Sequence, residues 1–403
     1  MVKAVNLLCG FLVSAITLLI AKILDTNPKP IFGIYQRRNG VYWLKVWFLY
    51  GLLSMRKVRH WLSPKSEEYY KTLDNIQTLA PTPKAVDAVF FNGANKNGDH
   101  FIVGTARRPN RLIDGILYVK IKNSKFGILE LPKIPDTTLF NTEEEEGYGA
   151  EGLKVSVVEP MKKWQITFSG QLKEHYKPEI SHNVTIEASF SSDEPWFNYE
   201  TDMHPWNMAK VLAYEKWSRS YFVNLKEAHQ LHYEQFGLVK AKIVVDEEEF
   251  NIDFVTMRDH SISPNREWDS FRRYTIHWVS AENGDHFSVG TICQPVAYSR
   301  MQIGYVYKAR ERKMYPVIDS DLHLYQYGEN GDFPKDYAFT FRAGNTDYVM
   351  QVNITDSPYF YISKEWEGKV NECFCTIEVN GVKGYGGVEW EYRNVDGRNV
   401  NHA

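Results

Sequence analysis

The chain has 403 residues, enough for two or three domains that each bury a core. A net charge of −3 offers no basic footprint for nucleic acid, and four cysteines are too few for a disulfide framework. Aromatic residues at 14% point towards strands and an apolar pocket.

Residues 4–21 are almost wholly apolar and are bounded by Lys3 and Lys22. No small-x-small cleavage site precedes the polar boundary, so a membrane-anchoring helix is expected rather than a cleaved signal. Residues 41–55 carry Tyr42, Trp43, Trp47 and Tyr50, with basic residues on both sides. That pattern suits a helix in the headgroup layer, or equally an amphipathic helix packed on a soluble domain. The lysines and arginines after the first segment favour a cytoplasmic body. A single-pass protein of the endoplasmic reticulum or another endomembrane is the expectation, although no residue pattern in the chain addresses it to a particular organelle. The sequons at Asn183 and Asn353 would be usable only in the opposite orientation.

Residues 66–79 read as a short helix or linker, followed by the breakers Ala80-Pro81-Thr82-Pro83. Strands are then expected at 88–92, 100–106, 116–122, 127–131, 153–158, 164–172 and 184–190, with Glu143 to Glu146 as a solvated loop. The segment Asn97-Gly98-Asp99-His100-Phe101-Ile102-Val103-Gly104-Thr105 returns 186 positions later as Asn283-Gly284-Asp285-His286-Phe287-Ser288-Val289-Gly290-Thr291. Turn chemistry explains Asn-Gly but not His-Phe and Val-Gly-Thr in register, so the match indicates a duplicated domain. Residues 193–224, with Trp196, Trp206 and Trp217, look like a connection packed against both halves. The second series of strands is expected at 238–245, 249–257, 274–280, 287–291, 303–308, 322–327, 337–342, 348–354, 359–362, 373–379 and 386–392. Each half can close an eight-stranded barrel of the size that holds one small ligand. The expected fold is all-β, with barrels at 80–195 and 225–395, a connection at 196–224, and an anchor with an interfacial helix at 1–65.

The densest polar cluster is Arg258-Asp259-His260-Ser261, then Arg266, Glu267 and Trp268, then Arg273, Tyr274 and His277. With the preceding strand ending at Met257, this reads as a loop. His260 would orient Asp259, a desolvated Asp259 would donate a proton, and Trp268 or Tyr274 would face a cation. The alternative is a structural knot in which Asp259 pairs Arg258, Arg266 or Arg273. His229, His232 and Glu234 could offer metal ligands on a helix, but without the His-Glu-x-x-His arrangement no metal and no cofactor is expected. No nucleophile elbow or phosphate loop is present in the sequence.

Asp259-His260-Ser261, Arg266-x-Trp268 and Arg273-Tyr274-x-x-His277 resemble the motif of a family of paired lipocalin-like domains. AttH-like proteins, carotenoid 1,2-hydratases and tocopherol cyclases belong to it. His232 to Gly237, Trp164-x-Ile166-x-Phe168-x-Gly170 and Gly384-x-Gly386-x-x-Glu389-Trp390 add to the likeness, which covers roughly residues 80 to 395. The chain also resembles the amino-terminal part of animal phosphoenolpyruvate synthase-like proteins. It departs from the family at Ile262-Ser263-Pro264, where an aromatic and then Gly is usual. The resemblance implies tandem lipocalin-like barrels, a large hydrophobic, lipid or isoprenoid ligand, and site positions at Glu234, Glu389 and Trp390. Three functions are open: a membrane-associated binder, an enzyme of proton-initiated hydration, cyclisation or isomerisation, and a scaffold for other proteins.

Overall fold

The computed structural model describes residues 10, 12–20, 28–142 and 147–399. Part of the expected anchor (residues 4–21) and the whole Glu143 to Glu146 run lie outside the described residues. Residues 12–20 are helical. Among the described residues, no helix is long and apolar enough to cross a membrane.

Helices α1 (Tyr42–Leu62) and α2 (Glu67–Asp74) lead into the first sheet. Its strands are β1 (Val86–Ala94), β2 (His100–Arg107), β3 (Leu112–Lys120), β4 (Leu129–Glu130), β5 (Thr138–Phe140), β6 (Leu153–Glu159), β7 (Lys163–Glu174) and β8 (Lys177–Ser191). After β9 (Trp196–Asn198) come α3 (Pro205–Tyr214) and α4 (Arg219–Glu227). Strands β10 (Leu231–Val245) and β11 (Glu248–Ser263) then return to the first sheet.

The second sheet comprises β12 (Arg273–Ala281), β13 (His286–Gln294), β14 (Tyr298–Lys308), β15 (Lys313–Ser320), β16 (Asp336–Ala343), β17 (Thr346–Asp356), β18 (Tyr359–Ile362), β19 (Gly368–Val379) and β20 (Val382–Arg393). Among the described residues, eight antiparallel strands close each barrel: β1-β2-β3-β4-β7-β8-β10-β11 and β12-β13-β14-β15-β16-β17-β19-β20.

The barrels were expected to divide at 196–224, but the sheets divide at 264–272. Strand β10 pairs with β8, and β11 pairs with β1, so both close the first barrel rather than begin the second. The expected strand at 322–327 is instead a short 3-10 turn, Leu324–Gln326, and β15 went unforeseen. Residues 193–224 do pack on both halves. Strand β9 pairs with β10, and Asn207 Nδ2 donates to the carbonyls of Gln302 and Val317 in the second barrel.

The duplicated segments occupy equivalent places, at the β1–β2 and β12–β13 turns, and their shared residues have shared tasks. Gly98 and Gly284 both take φ +87°, which a side chain would resist. Asp99 Oδ1 accepts from Lys122 N, and Asp285 Oδ1 accepts from Ala309 N, so each aspartate ties its turn to the chain just beyond the strand after next, β3 or β14. His100 on β2 stacks on Phe374 of β19, at 4.2 Å between centroids, and His286 on β13 stacks on Phe236 of β10, at 4.5 Å. Each repeat histidine thus meets the same strand of the opposite barrel. This reciprocity describes an approximate twofold relation between the barrels.

Candidate functional site

Strand alternation decides which polar residues meet. Neighbours on a strand face opposite sides, and the Arg258–Ser261 cluster lies within β11 rather than in a loop. Arg258 and His260 turn into the first barrel, whereas Asp259 and Ser261 face outward to the second.

Inside the first barrel, Asp74 at the end of α2 accepts from Arg258 Nη1 (2.5 Å), Tyr233 OH (2.7 Å) and Trp164 Nε1 (3.2 Å). Burial alone would raise the Asp74 pKa, but Arg258 and these donors hold it well below the usual carboxylate range. His260 Nε2 lies 2.7 Å from Asp87, and Nδ1 lies 2.8 Å from Tyr233 OH. Burial opposes charge on His260, yet Asp74 and Asp87 outweigh it and raise its pKa. This buried network ties the α2 end to the barrel wall. It does not orient Asp259, so the expected Asp259–His260 pairing is corrected by the pleat.

Between the barrels lies a cavity of about 520 Å³, within the roughly 300–1,000 Å³ range of small-molecule pockets. Phe90, Ile116, Ile276, Trp278, Ile303 and Phe360 supply apolar walls, and Asp259, Ser261, Arg266, Trp268, Tyr274 and Glu389 supply the sequence-expected polar and aromatic groups. Glu234 sits beside it, wholly buried, with Oε1 accepting from Trp278 Nε1 of the other barrel at 3.2 Å. His277 and Trp390 do not reach the cavity. His277 faces the interior of the second barrel, hydrogen-bonded to Tyr337 OH at 2.7 Å, and burial pushes its pKa down to about 3. Trp390 belongs to the same interior core.

Asp259 has no hydrogen-bonding partner among the described residues. Burial raises its pKa to about 6; Glu234 adds to the rise, and His232 and Arg266 oppose it. None of the three arginines forms the expected ion pair with Asp259. Arg258 holds Asp74, Arg266 donates to Gln230 Oε1 (2.6 Å from Nη2), and Arg273 meets Glu329 at 3.2 Å. Tyr274 OH donates to Glu389 Oε1 at 2.8 Å. Burial takes the Glu389 pKa to about 7, against the Tyr274 hydrogen bond. Arg266 lies over the Trp268 ring, 5.7 Å from its centroid.

Sequence reasoning missed the pair Arg108 and Asp114, joined at 3.0 Å on the cavity wall, because they sit 6 residues apart in an unremarkable turn. It also missed the buried Glu372 and Glu391. Their carboxylates lack any partner among the described residues, and burial, then Glu389, pushes both pKa values well up. His232 does face the cavity, with Nδ1 2.6 Å from Ser261 Oγ, but from β10 and not from a helix shared with His229. Among the described residues, no group of three His, Cys, Asp or Glu side chains could hold a metal ion.

Two closed antiparallel barrels with an apolar cavity between them define a protein of the paired lipocalin-like class. The fold is similar to that of a protein assigned as AttH from Nitrosomonas europaea, with a TM-score of 0.53 and 11% identity over 82% of this chain and 98% of the other. It is also similar to kievitone hydratase from Nectria haematococca, with a TM-score of 0.52 and 10% identity over 80% and 92%. At such identity the likeness is one of fold. Residues 7–392 match the model of a family of unknown function, DUF8627, and the chain belongs to that family. No curated protein matches the sequence.

Proposed function

We propose that the chain takes one apolar molecule into the inter-barrel cavity and protonates it there, as the first step of a hydration, cyclisation or isomerisation. The observation that carries this is Asp259, a carboxyl on an apolar cavity with, among the described residues, no donor to stabilise its anion and a pKa raised to about 6. Such a group holds a proton close to neutral pH and can give it to a carbon–carbon double bond. The proton bonds to one alkene carbon and leaves a cation on the other, and Asp259 is left as the carboxylate. The ring of Tyr274, or the face of Trp268 that Arg266 leaves open, stabilises positive charge. Water adding to the cation, or loss of a neighbouring proton, completes the reaction, with Glu389 or the Asp259 carboxylate accepting the released proton. That one structural neighbour is named as a hydratase supports this reading.

Ligand binding without turnover is the second reading, favoured by the apolar walls alone. Both begin with occupancy, which mass spectrometry of molecules co-purifying with the full chain measures. An apolar compound should accompany the wild type and be recovered in clearly smaller amount from Ile276→Trp, which narrows the cavity. Equal recovery from both proteins, or none from either, would sink the proposal and leave the scaffold reading. Loss of turnover in Asp259→Asn with the compound retained then separates enzyme from binder.

A further inference from the structure

Among the described residues, helix α1 is packed on one side only. Tyr42, Val46 and Leu49 are buried against Ala209 and Ala213 of α3. Lys45 Nζ donates to the Glu215 carbonyl, Lys57 Nζ to the Asp202 carbonyl, and Arg56 pairs with Glu200 at 2.8 Å. The opposite side exposes Leu44, Phe48, Met55, Trp61 and Leu62 at 72, 58, 63, 77 and 67%, with Trp43, Trp47, Leu52 and Val58 widening the stripe. These positions recur at helical spacing along nearly the whole of α1, and a continuous exposed apolar face of this kind marks an interaction surface.

Charge says what covers it. Residues 1–65 hold ten lysines and arginines against one aspartate, in a chain whose net charge is −3. Exposed Arg37, Arg38 and Arg59 flank the apolar stripe. Aromatics and aliphatics on one face, with cations at its borders, match the headgroup layer of an anionic bilayer. The cavity then supplies the reason for the position. Leu53, Arg56, Lys57 and His60 of α1 line it, as do Lys65 and Tyr69 beyond the helix end. On α4, exposed Phe222 and Val223 continue the apolar surface, close in sequence to the lining residue Leu225.

We infer that α1 lies flat in the interfacial layer of an anionic membrane and sets the cavity mouth against the lipid, so that an apolar ligand enters from the bilayer. The entry route rests on the ligand-binding function proposed above; the docking does not. A neutral, water-soluble ligand would need no such seat.

The test uses the full chain with Cys9→Ser, since the other three cysteines are buried. An environment-sensitive fluorophore is placed through Met55→Cys on the stripe or, as control, through Lys383→Cys on β20. Vesicles contain equal parts phosphatidylcholine and phosphatidylserine, with a shallow spin-labelled lipid as quencher. Emission at position 55 should at least halve on binding, while position 383 stays unchanged. Phe48→Glu should abolish the quenching at 55 without moving the melting temperature. An unquenched label at 55 on vesicle-bound protein, or no vesicle binding, overturns the inference. So does a dimer in solution that Phe48→Glu converts to monomer, because a second copy would then be the occupant. None of these readouts depends on turnover, so the docking and the proposed chemistry can fail separately.

Discussion

Asp259 and Glu389 hold equivalent positions in the two barrels. Asp259 on β11 stands in register opposite Glu234 on β10, and Glu389 on β20 opposite Glu372 on β19. Two residues further along, the partner strands carry Phe236 and Phe374, the rings on which the repeat histidines stack. Duplication therefore placed one acid from each barrel on the wall of a single cavity. Divergence gave them different neighbours: Tyr274 donates to Glu389, and among the described residues no donor serves Asp259.

Asp259→Asn should abolish turnover and leave the protein at least as stable as the wild type, because no arginine loses a partner and a desolvated acid is removed. Parallel activity and thermal melts check this. A fall in melting temperature comparable to that of a buried ion-pair variant would return Asp259 to a structural role.

Asp74→Asn should be the opposite case. It leaves the wholly buried Arg258 without its countercharge, which costs about 3–5 kcal/mol in buried pairs. Chemical denaturation measures the loss. The residue touches no cavity atom, so ligand affinity of the folded fraction should be unchanged.

Stability should fall as pH rises from about 4 to about 7. Folding raises Asp259 from 3.8 to about 6 and Glu389 from 4.5 to about 7, so the folded state holds the extra protons. Their stabilising contribution is complete below the unfolded pKa values and is lost as pH passes through the folded ones. The Asp259 part is on the order of 2 kcal/mol after discounting for water in the cavity. Melts across this range should be flatter for Asp259→Asn, and an equally steep profile would count against the raised pKa. Asp74 and Asp87, whose pKa values folding lowers, act in the reverse direction and lose their contribution on acidification.

Tyr274→Phe should raise the Glu389 pKa further, because the lost hydrogen bond favours the carboxylate. Under the proposed chemistry, any limb of the pH–rate profile that reports Glu389 shifts upward by roughly one unit. Carboxyl-selective NMR titration reads the same change without a substrate. No shift in either measurement would remove Tyr274 from control of the site.

Much of the fold was legible in the sequence. The repeated nonapeptide announced two like units because turn, cap and interface each demand a particular residue there. Period-two alternation located most strands, since one face of each is buried. Asp259, Arg266, Trp268 and Tyr274 stood out by type and spacing and Glu389 through the family resemblance, and all five line the one cavity. Where the first barrel closes was not legible, because β10 and β11 look alike whichever sheet they join, and only their pairing with β8 and β1 assigns them. Nor could the sequence divide Arg258-Asp259-His260-Ser261. Read as a loop, the four residues form one cluster; as the pleated end of β11, they serve a buried network and a cavity on opposite faces. Chain neighbours determined composition and periodicity, while the closure of each sheet and the packing of one barrel on the other decided which side chains share a site.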